Sequence, residues 1–259
     1  MLALVTGASS GIGEQYATIL ARDYKCDLLL VSNQEKEIHE VAQRLSQQHQ
    51  VKAMGIYSDL SRPEAAQELY DYCNENNMEI DILVNNAGVF FFNEYQKTEM
   101  RRIDLMLNLH MITLAKMCRL FGEDMCRRGK GYILNMSSMA AWFTMPGIQC
   151  YNATKAFVRN FSRSLWYEMK PHGVTCLAVC PGAVDTGLYG LSDKWRKVAV
   201  ALQVSLPPEK LAKKALKALF KGKKQTMPGW INYIIVPIVK HLPDWFVFAA
   251  MKRLESFAK

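Results

Sequence analysis

The chain has 259 residues, half of them hydrophobic, which is enough to bury one large core. Its formal net charge of +8 is concentrated between Asp193 and Lys224, where ten basic and two acidic residues stand, and the remainder is close to neutral. Because the positive charge is confined to one stretch, nucleic-acid binding is only a distant alternative function. The stretch is either a solvated helix face or a surface that attracts an anionic substrate carrier or lipid.

The seven cysteines are odd in number and form no CxxC pair or Cys/His cluster, which predicts reduced thiols in a cytoplasmic protein and no metal site. The first residues enter a predicted strand directly, so no cleavable signal peptide is expected. The most apolar stretch, 231–250, is interrupted by Lys240, His241, Asp244 and two prolines, so a membrane-spanning helix is not expected either.

Short apolar runs alternate with helical stretches along the chain. Strands are predicted at 2–5, 27–31, 52–56, 80–84, 132–135 and 174–179, and helices at 11–22, 35–48, 62–75, 98–127 and 149–170. This alternation predicts an α/β fold: a three-layer, doubly wound parallel sheet of the Rossmann-like type, with helices on both faces. Such sheets bind their ligands at the carboxyl ends of the strands.

A glycine-rich turn follows the first predicted strand, in Thr6-Gly7-Ala8-Ser9-Ser10-Gly11-Ile12-Gly13. Glycines let the backbone approach a pyrophosphate closely, and the next helix directs free N–H groups and its positive dipole end towards it. The spacing is not that of nucleotide triphosphatases, and no Gly-Lys-Ser follows. The turn therefore predicts a dinucleotide site beside the first strand.

Two more groups of residues follow predicted strands. Asn85-Asn86-Ala87-Gly88 offers small and amide side chains beside which a flat ring fits, and Ser138 ends the next strand. Tyr151 and Lys155 then stand at i and i+4 on one helix face. A free tyrosine has a pKa of about 10, and a neighbouring lysine cation lowers it towards the range useful to a general acid–base. Ser138 is expected to stabilise charge on the same carbonyl oxygen.

In this order, the sequence resembles the short-chain dehydrogenase/reductase family over at least residues 2–188. The resemblance is carried by TGxxxGxG, Asp59, NNAG, Asn108, a serine thirteen residues before the tyrosine, YxxxK, and Pro-Gly-x-Val-x-Thr at 181–186. It implies an NAD(P)-dependent oxidoreductase that interconverts a carbonyl and an alcohol, with the hydride chemistry supplied by the nicotinamide.

The resemblance also implies roles for individual residues. Tyr151 would transfer the proton and Ser138 would orient the carbonyl. Lys155 would bind the nicotinamide ribose, and Asn108 would hold a water that links Lys155 to solvent. Asp59 would face the adenine. The implied cofactor-binding residues are Gly7, Ser9, Ser10, Gly11, Ile12, Gly13, Ser32, Asn33, Asp59, Leu60, Asn85, Ala87, Gly88, Tyr151, Lys155, Pro181, Gly182, Val184 and Thr186.

The end of the second strand distinguishes NAD from NADP in such folds. The residues there are Val31-Ser32-Asn33-Gln34-Glu35-Lys36, with no aspartate for a ribose 2′-hydroxyl and no arginine pair for a 2′-phosphate. Ser32, Asn33 and Lys36 accommodate a 2′-phosphate without repulsion, whereas Glu35 argues against one. The sequence therefore favours NADP(H) over NAD(H).

An apolar substrate wall is predicted around Tyr151. Its residues are Ser138, Met139, Ala140, Trp142, Phe143, Ile148, Tyr151, Leu188 and Trp195. They favour a large hydrophobic carbonyl. The C-terminal part resembles the branch of the family that holds long-chain 3-oxoacyl reductases, 3-ketosphinganine reductases and some hydroxysteroid dehydrogenases.

One domain is expected over residues 1–259, with 188–217 as a mobile lid over the substrate, a short strand and turn at 225–229, and an apolar extension over 230–259. The extension lacks the Gly-Gly dimer contact of many family members. The common tetramer is therefore not expected, and a homodimer through the helices at 98–127 and 149–170 is. The extension either covers the cleft or rests, with its basic neighbour, on the inner face of a membrane.

A second hypothesis is a nucleotide-sensing protein that keeps the fold and does no chemistry, since a fold alone does not establish a function. The set Asn108, Ser138, Tyr151 and Lys155 argues against it, because a sensor does not need all four. Turnover of a panel of ketones distinguishes the two hypotheses.

Overall fold

The computed structural model describes residues 1–184, 205–229, 232–241, 243–245 and 248 of the chain. Seven parallel strands form one sheet, in the order β3-β2-β1-β4-β5-β6-β9, and β7 pairs with β8. The strands are β1 Leu2–Thr6, β2 Asp27–Ser32, β3 Ala53–Tyr57, β4 Ile82–Asn85, β5 Gly131–Met136, β6 Val174–Val179, β7 Ala183–Val184, β8 Ser205–Leu206 and β9 Gln225–Thr226. The helices are α1 Gly11–Tyr24, α2 Glu35–His49, α3 Ala65–Glu75, α4 Met100–Leu107, α5 Leu114–Arg128, α6 Gln149–Met169, α7 Pro208–Phe220 and α8 Asn232–Lys240.

Helices cover both faces of the sheet, which confirms the predicted three-layer α/β fold. Successive strand residues point to opposite faces, so Leu4 packs in one core and its neighbours Ala3 and Val5 pack in the other. One core includes α1, α2 and α7, and the other includes α3, α5 and α6. Because both faces are buried, the strands read as continuous apolar runs in the sequence.

The strand order reverses between β1 and β4, and this reversal positions the functional site. From β1 the chain builds outwards through β2 and β3, and from β4 it builds in the other direction through β5 and β6. The loops that leave β1 and β4 therefore diverge at the carboxyl edge of the sheet and leave a crevice between them.

The predicted elements match the observed ones to within a few residues, with one break. The helix predicted at 98–127 consists of α4 and α5, joined by a π-helical turn at Asn108–Thr113. A π turn holds one more residue than an α turn, so the faces of the following residues shift around the helix. The short strand predicted at 225–229 is β9.

The predicted lid at 188–217 is wrong for its second half. Residues 208–217 belong to α7, which packs on α1 and buries Leu211, Ala215 and Leu216 in the core. These residues are framework, because their apolar side chains repeat at the helical period. Residues 188–204 lie outside the described residues, although β7 and β8, the strands on either side of 185–204, pair with each other.

The C-terminal extension is described in part. It includes α8, and among the described residues no helix is both long enough and apolar enough to cross a bilayer. All seven cysteines are free thiols.

Candidate active site

A cleft of about 590 Å³ lies at the carboxyl edge of the sheet, where the strand order reverses. The loops after β1 to β6 all contribute to it. It brings together most of the residues predicted to bind a cofactor: Gly7, Ser9, Ser10, Gly11, Ile12, Ser32, Asn33, Asp59, Leu60, Ala87, Gly88, Tyr151, Lys155, Pro181 and Val184.

Three predicted cofactor residues lie behind the lining. Gly13 packs against the backbone of the glycine turn, where a Cβ would lie 2.0 Å from the Gly7 carbonyl oxygen. The Asn85 amide is buried and donates to Asn135 Oδ1 at 2.8 Å. Gly182 lies against the side chain of Asn232. These three support the cleft without lining it, and Thr186 lies outside the described residues.

Several residues that line the cleft were not predicted from the sequence. They are Gln34, Ser58, Asn86, Val89, Leu109, His110, Met136 and Ser137. Most directly follow or adjoin a predicted motif, so a rule that included the neighbours of each motif would have found them. His110 had no such signal.

The glycine turn after β1 fits a diphosphate. Gly7 and Gly11 have positive φ values of 64° and 59°, which glycine tolerates without strain. The Ser10 side chain makes no capping hydrogen bond at the start of α1, so the first N–H groups of that helix stay available to a ligand. Backbone donors at a helix N-terminus are the chemistry that binds a dinucleotide phosphate.

Thr6 and Asn86 join this turn to the loop after β4. The Thr6 hydroxyl donates to the Val84 carbonyl and accepts from the backbone N–H groups of Asn86 and Ala87, at 3.0 Å each. The Asn86 amide donates to the carbonyls of Thr6 and Gly7. The two sides of the crevice are therefore held at a fixed separation.

The adenosine end of the cleft carries a chain of hydroxyl and amide groups. Ser32 Oγ donates to Ser9 Oγ at 2.9 Å, and Ser9 Oγ donates to Gln34 Oε1 at 2.6 Å. Glu35 and Lys36 are exposed and are not among the residues that line the cleft in the described part of the chain.

Tyr151 and Lys155 lie side by side on α6, as their spacing predicts. Both are buried, and Lys155 Nζ lies 5.5 Å from the centre of the Tyr151 ring. Nζ donates to the Met136 carbonyl at 2.9 Å, and Ser137 Oγ donates to the Lys155 carbonyl at 2.7 Å. The end of β5 thus fixes the lysine. Burial lowers the pKa of Lys155 to about 8.

This pKa makes the stability of the unliganded protein depend on pH. Because the pKa of Lys155 is lower in the folded chain, the unfolded chain binds more protons above pH 8, and stability rises with pH there. The quantity to follow is the free energy of unfolding of wild type minus that of Lys155→Met. We expect this difference to increase by about 2 kcal/mol between about pH 7 and about pH 10. Urea unfolding of both proteins measures it, and a constant difference would contradict it.

Ser138 begins a short 3-10 helix at the end of β5. Its Oγ accepts a hydrogen bond from the Ala140 N–H at 3.1 Å, which leaves the hydroxyl proton for another acceptor. Ser138 and Tyr151 both line the cleft.

The role expected of Asn108, to hold a water between Lys155 and solvent, stays a prediction. Asn108 lies half-buried in the π-helical turn, is not among the described residues that line the cleft, and has no hydrogen bond to Lys155 there. His110 lines the cleft, 2% exposed, with its ring 5.9 Å from that of Tyr151.

The predicted substrate wall stays a prediction, and the structure describes the surroundings of part of it. Ala140 and Ile148 pack with Tyr151 and Met106 in a small apolar cluster. Trp142 is instead covered by the guanidinium of Arg159, 4.3 Å from its ring centre. The residues that line the cleft in the described part of the chain do not include Met139, Ala140, Trp142, Phe143 or Ile148, and Leu188 and Trp195 lie outside that part.

Comparison with curated proteins identifies relatives along the whole chain. The chain is 36% identical over 200 residues to a very-long-chain 3-oxoacyl-CoA reductase of Anas platyrhynchos, covering 73% of this chain and 62% of that protein. It is 30% identical over 263 residues to the Homo sapiens protein of the same name, covering 98% of this chain and 79% of that protein.

Solved structures share the fold along the full chain. A short-chain dehydrogenase from Sphingobium yanoikuyae in complex with NADPH has a TM-score of 0.79 and 27% identity, covering 100% of this chain and 95% of that one. A bulky-bulky ketone specific alcohol dehydrogenase from Comamonas testosteroni has a TM-score of 0.77 and 26% identity, covering 100% and 94%. The short chain dehydrogenase family model matches residues 1–197. The chain therefore belongs to the short-chain dehydrogenase family of NAD(P)-dependent oxidoreductases.

Proposed function

We propose that the protein reduces a hydrophobic ketone with NADPH. In this proposal Tyr151 gives the proton and Ser138 orients the carbonyl. Lys155 binds the nicotinamide ribose and stabilises the Tyr151 phenolate. The observation that carries the proposal is the buried Tyr151–Lys155 pair on α6, in the same cleft as Ser138 and the glycine turn. The nicotinamide, when bound, supplies the hydride.

The hydrogen bonds of the site support a proposed task for each side chain. Ser138 has its proton left to donate to the carbonyl oxygen, since its oxygen already accepts from Ala140. The Tyr151 hydroxyl gives its proton to the same oxygen as the alcohol forms. Lys155 uses one N–H on Met136, which leaves two for ribose hydroxyls, and its charge stabilises the phenolate that remains.

NADP(H) is the proposed cofactor. The supporting observation is that the cleft residues at the end of β2, Ser32, Asn33 and Gln34, and their hydrogen-bonded neighbour Ser9 are uncharged, while the one carboxylate in the described lining, Asp59, follows β3. Hydroxyl and amide groups donate to a 2′-phosphate, and no carboxylate among them repels it. The NADPH-bound dehydrogenase from Sphingobium yanoikuyae is a structural neighbour.

Ser32→Asp tests this preference. The carboxylate would accept from the Gln34 N–H, as Ser32 Oγ does now, and from the Ser9 hydroxyl once that hydroxyl turns away from Gln34 Oε1, so the fold should tolerate it. We expect the affinity for NADPH to fall about tenfold or more through repulsion of the 2′-phosphate, with little change for NADH. Ser32→Asn is the uncharged control of the same shape. Equal losses for both coenzymes, or in both variants, would contradict the prediction.

The proposed substrate is a 3-oxoacyl, ketosphingoid or steroid-like ketone. The curated relatives are named as very-long-chain 3-oxoacyl-CoA reductases, and a structural neighbour is specific for bulky-bulky ketones. Absorbance of the reduced nicotinamide, followed over ketones of increasing chain length, tests the class. Tight NADPH binding without turnover of any ketone would favour the sensor hypothesis instead.

The single domain, the lid and the dimer belong to the same proposal. Val184 lines the cleft and its strand pairs with β8, so the two ends of residues 185–204 are held together at the cleft edge. A lid over 188–204 would close there.

A homodimer would form through α4, α5 and α6. Its support is the exposed Ile112 and the stacked Phe157 and Phe161, whose ring centres lie 5.4 Å apart. Sedimentation measures the oligomer.

A peripheral membrane contact is the second candidate function of the C-terminal extension. On α8, Tyr233, Ile234 and Ile238 are all more than half exposed. They lie next to a groove lined by Lys214, Lys217, Lys221 and Lys223. Exposed apolar side chains beside lysines suit an anionic bilayer surface. Cosedimentation with phosphatidylserine vesicles, but not with phosphatidylcholine vesicles, is the expected result, and no binding to either would reject the contact.

A further inference from the structure

His110 lies where the loop after β4 meets α6. It is part of the π-helical turn, is 2% exposed, and lines the cleft beside Tyr151. Burial, and secondarily the charge of Lys155, lowers the pKa of His110 well below its ordinary value. A buried, neutral histidine requires a hydrogen-bond partner at each ring nitrogen.

Each nitrogen of His110 has a partner, on a different element. The backbone N–H of Val89, in the loop after β4, donates to Nε2 at 3.0 Å. Nδ1 lies 3.0 Å from Thr154 Oγ1 on α6. The Thr154 hydroxyl donates its one proton to the Tyr151 carbonyl at 2.9 Å, so Nδ1 must donate to Thr154. The neutral tautomer with its proton on Nδ1 satisfies both bonds.

We propose that neutral His110 is a positioning residue that holds the loop after β4 against α6, and so aligns the cofactor cleft with Tyr151. The inference rests on the proposed function, in which this loop faces the nicotinamide cofactor. Gly88 allows the close approach, because a Cβ there would lie 3.0 Å from His110 Nε2. His110 and Asn108 belong to the same π-helical turn.

The bridge holds in one protonation state only. A proton on Nε2 would face the Val89 N–H and break that bond. The titratable groups that face His110 are Lys155 and Tyr151, both on α6, whereas the loop after β4 presents the uncharged Gly88, Val89 and Phe90. The cation of Lys155 disfavours a second positive charge beside it. NADPH binding should therefore persist well below the usual histidine range.

Near-isosteric variants separate the two bonds. Glutamine places an acceptor close to the position of Nε2, asparagine places a donor close to that of Nδ1, and leucine offers neither. We expect His110→Gln to bind NADPH within about threefold of wild type. His110→Asn and His110→Leu should bind it about tenfold or more weakly, because each leaves the buried Val89 N–H without an acceptor.

Two readouts test the inference without ketone turnover. Nicotinamide fluorescence gives the Kd of NADPH for each variant, and nitrogen NMR of the wild-type imidazole gives its tautomer and titration. A neutral, Nδ1-protonated ring throughout the folded pH range is expected. A ring that titrates at the ordinary histidine pKa, or His110→Leu binding NADPH like wild type, would overturn the inference. Failure of wild type to bind NADPH would instead reject the proposed function, and the NMR result would still decide the state of His110.

Discussion

Tyr151→Phe is expected to lower kcat by about 10²–10⁴-fold, the contribution usual for a positioned general acid–base. The change removes one oxygen and leaves the ring, which packs edge-on against Phe90 with the ring centres 5.0 Å apart and lies in the apolar cluster with Met106. Fold and cofactor cleft should therefore survive. Stopped-flow measurement of a single turnover with a ketone found active for wild type separates chemistry from product release.

NADPH affinity is the internal control for this variant. Because the residues of the glycine turn, Ser32 and Lys155 are unchanged, the Kd of NADPH should stay within about threefold of the wild-type value. Lys155→Met provides the contrast: it should lose both turnover and affinity, since its ammonium is the group with two N–H donors left for the ribose. Turnover retained in Tyr151→Phe would reject Tyr151 as the proton donor, whatever the cofactor affinity.

Local spacing explains why the sequence predicted so much of this site. Tyr151 and Lys155 share a helix face because residues i and i+4 lie one turn apart. The glycine turn stands between a predicted strand and a predicted helix, where the helix N-terminus can bind a phosphate. The loops meet because carboxyl ends of parallel strands share one edge of the sheet. Each of these inferences needs only the sequence neighbourhood and the alternation of strand and helix.

The errors arose where packing between distant elements decides the outcome. His110 lies in a π-helical turn that no periodicity announces, and it was not predicted as a cleft residue. The guanidinium of Arg159, from the next helix, lies over the ring of Trp142, a contact that the sequence did not indicate. The segment 208–217 looked like a charged lid because its lysines dominate the composition, yet Leu211, Ala215 and Leu216 turn one face into core. Which residues face another element or the core depends on packing between elements, which residue spacing alone does not reveal.

Gly13→Ala is expected to be the most damaging small substitution in the cleft. Gly13 lies in the first turn of α1 and does not have a positive φ, so helix propensity alone would favour alanine by about 1 kcal/mol. Sterics reverse this preference, because the new Cβ would lie 2.0 Å from the Gly7 carbonyl oxygen and 2.6 Å from Asn86 Nδ2. Both atoms belong to the hydrogen bond that joins the two sides of the crevice.

The glycine turn must therefore move or α1 must shift. We expect a loss of stability of about 1–3 kcal/mol, the usual range for overpacking, and a Kd for NADPH at least about tenfold higher. Gly129→Ala is the matched control: it has a φ of +72° but no atom within 4 Å of its Cβ position. It should lose stability through backbone strain alone and bind NADPH like wild type. Urea unfolding and fluorescence titration of both variants separate the two effects, and wild-type NADPH affinity in Gly13→Ala would mean that the turn does not hold the cofactor.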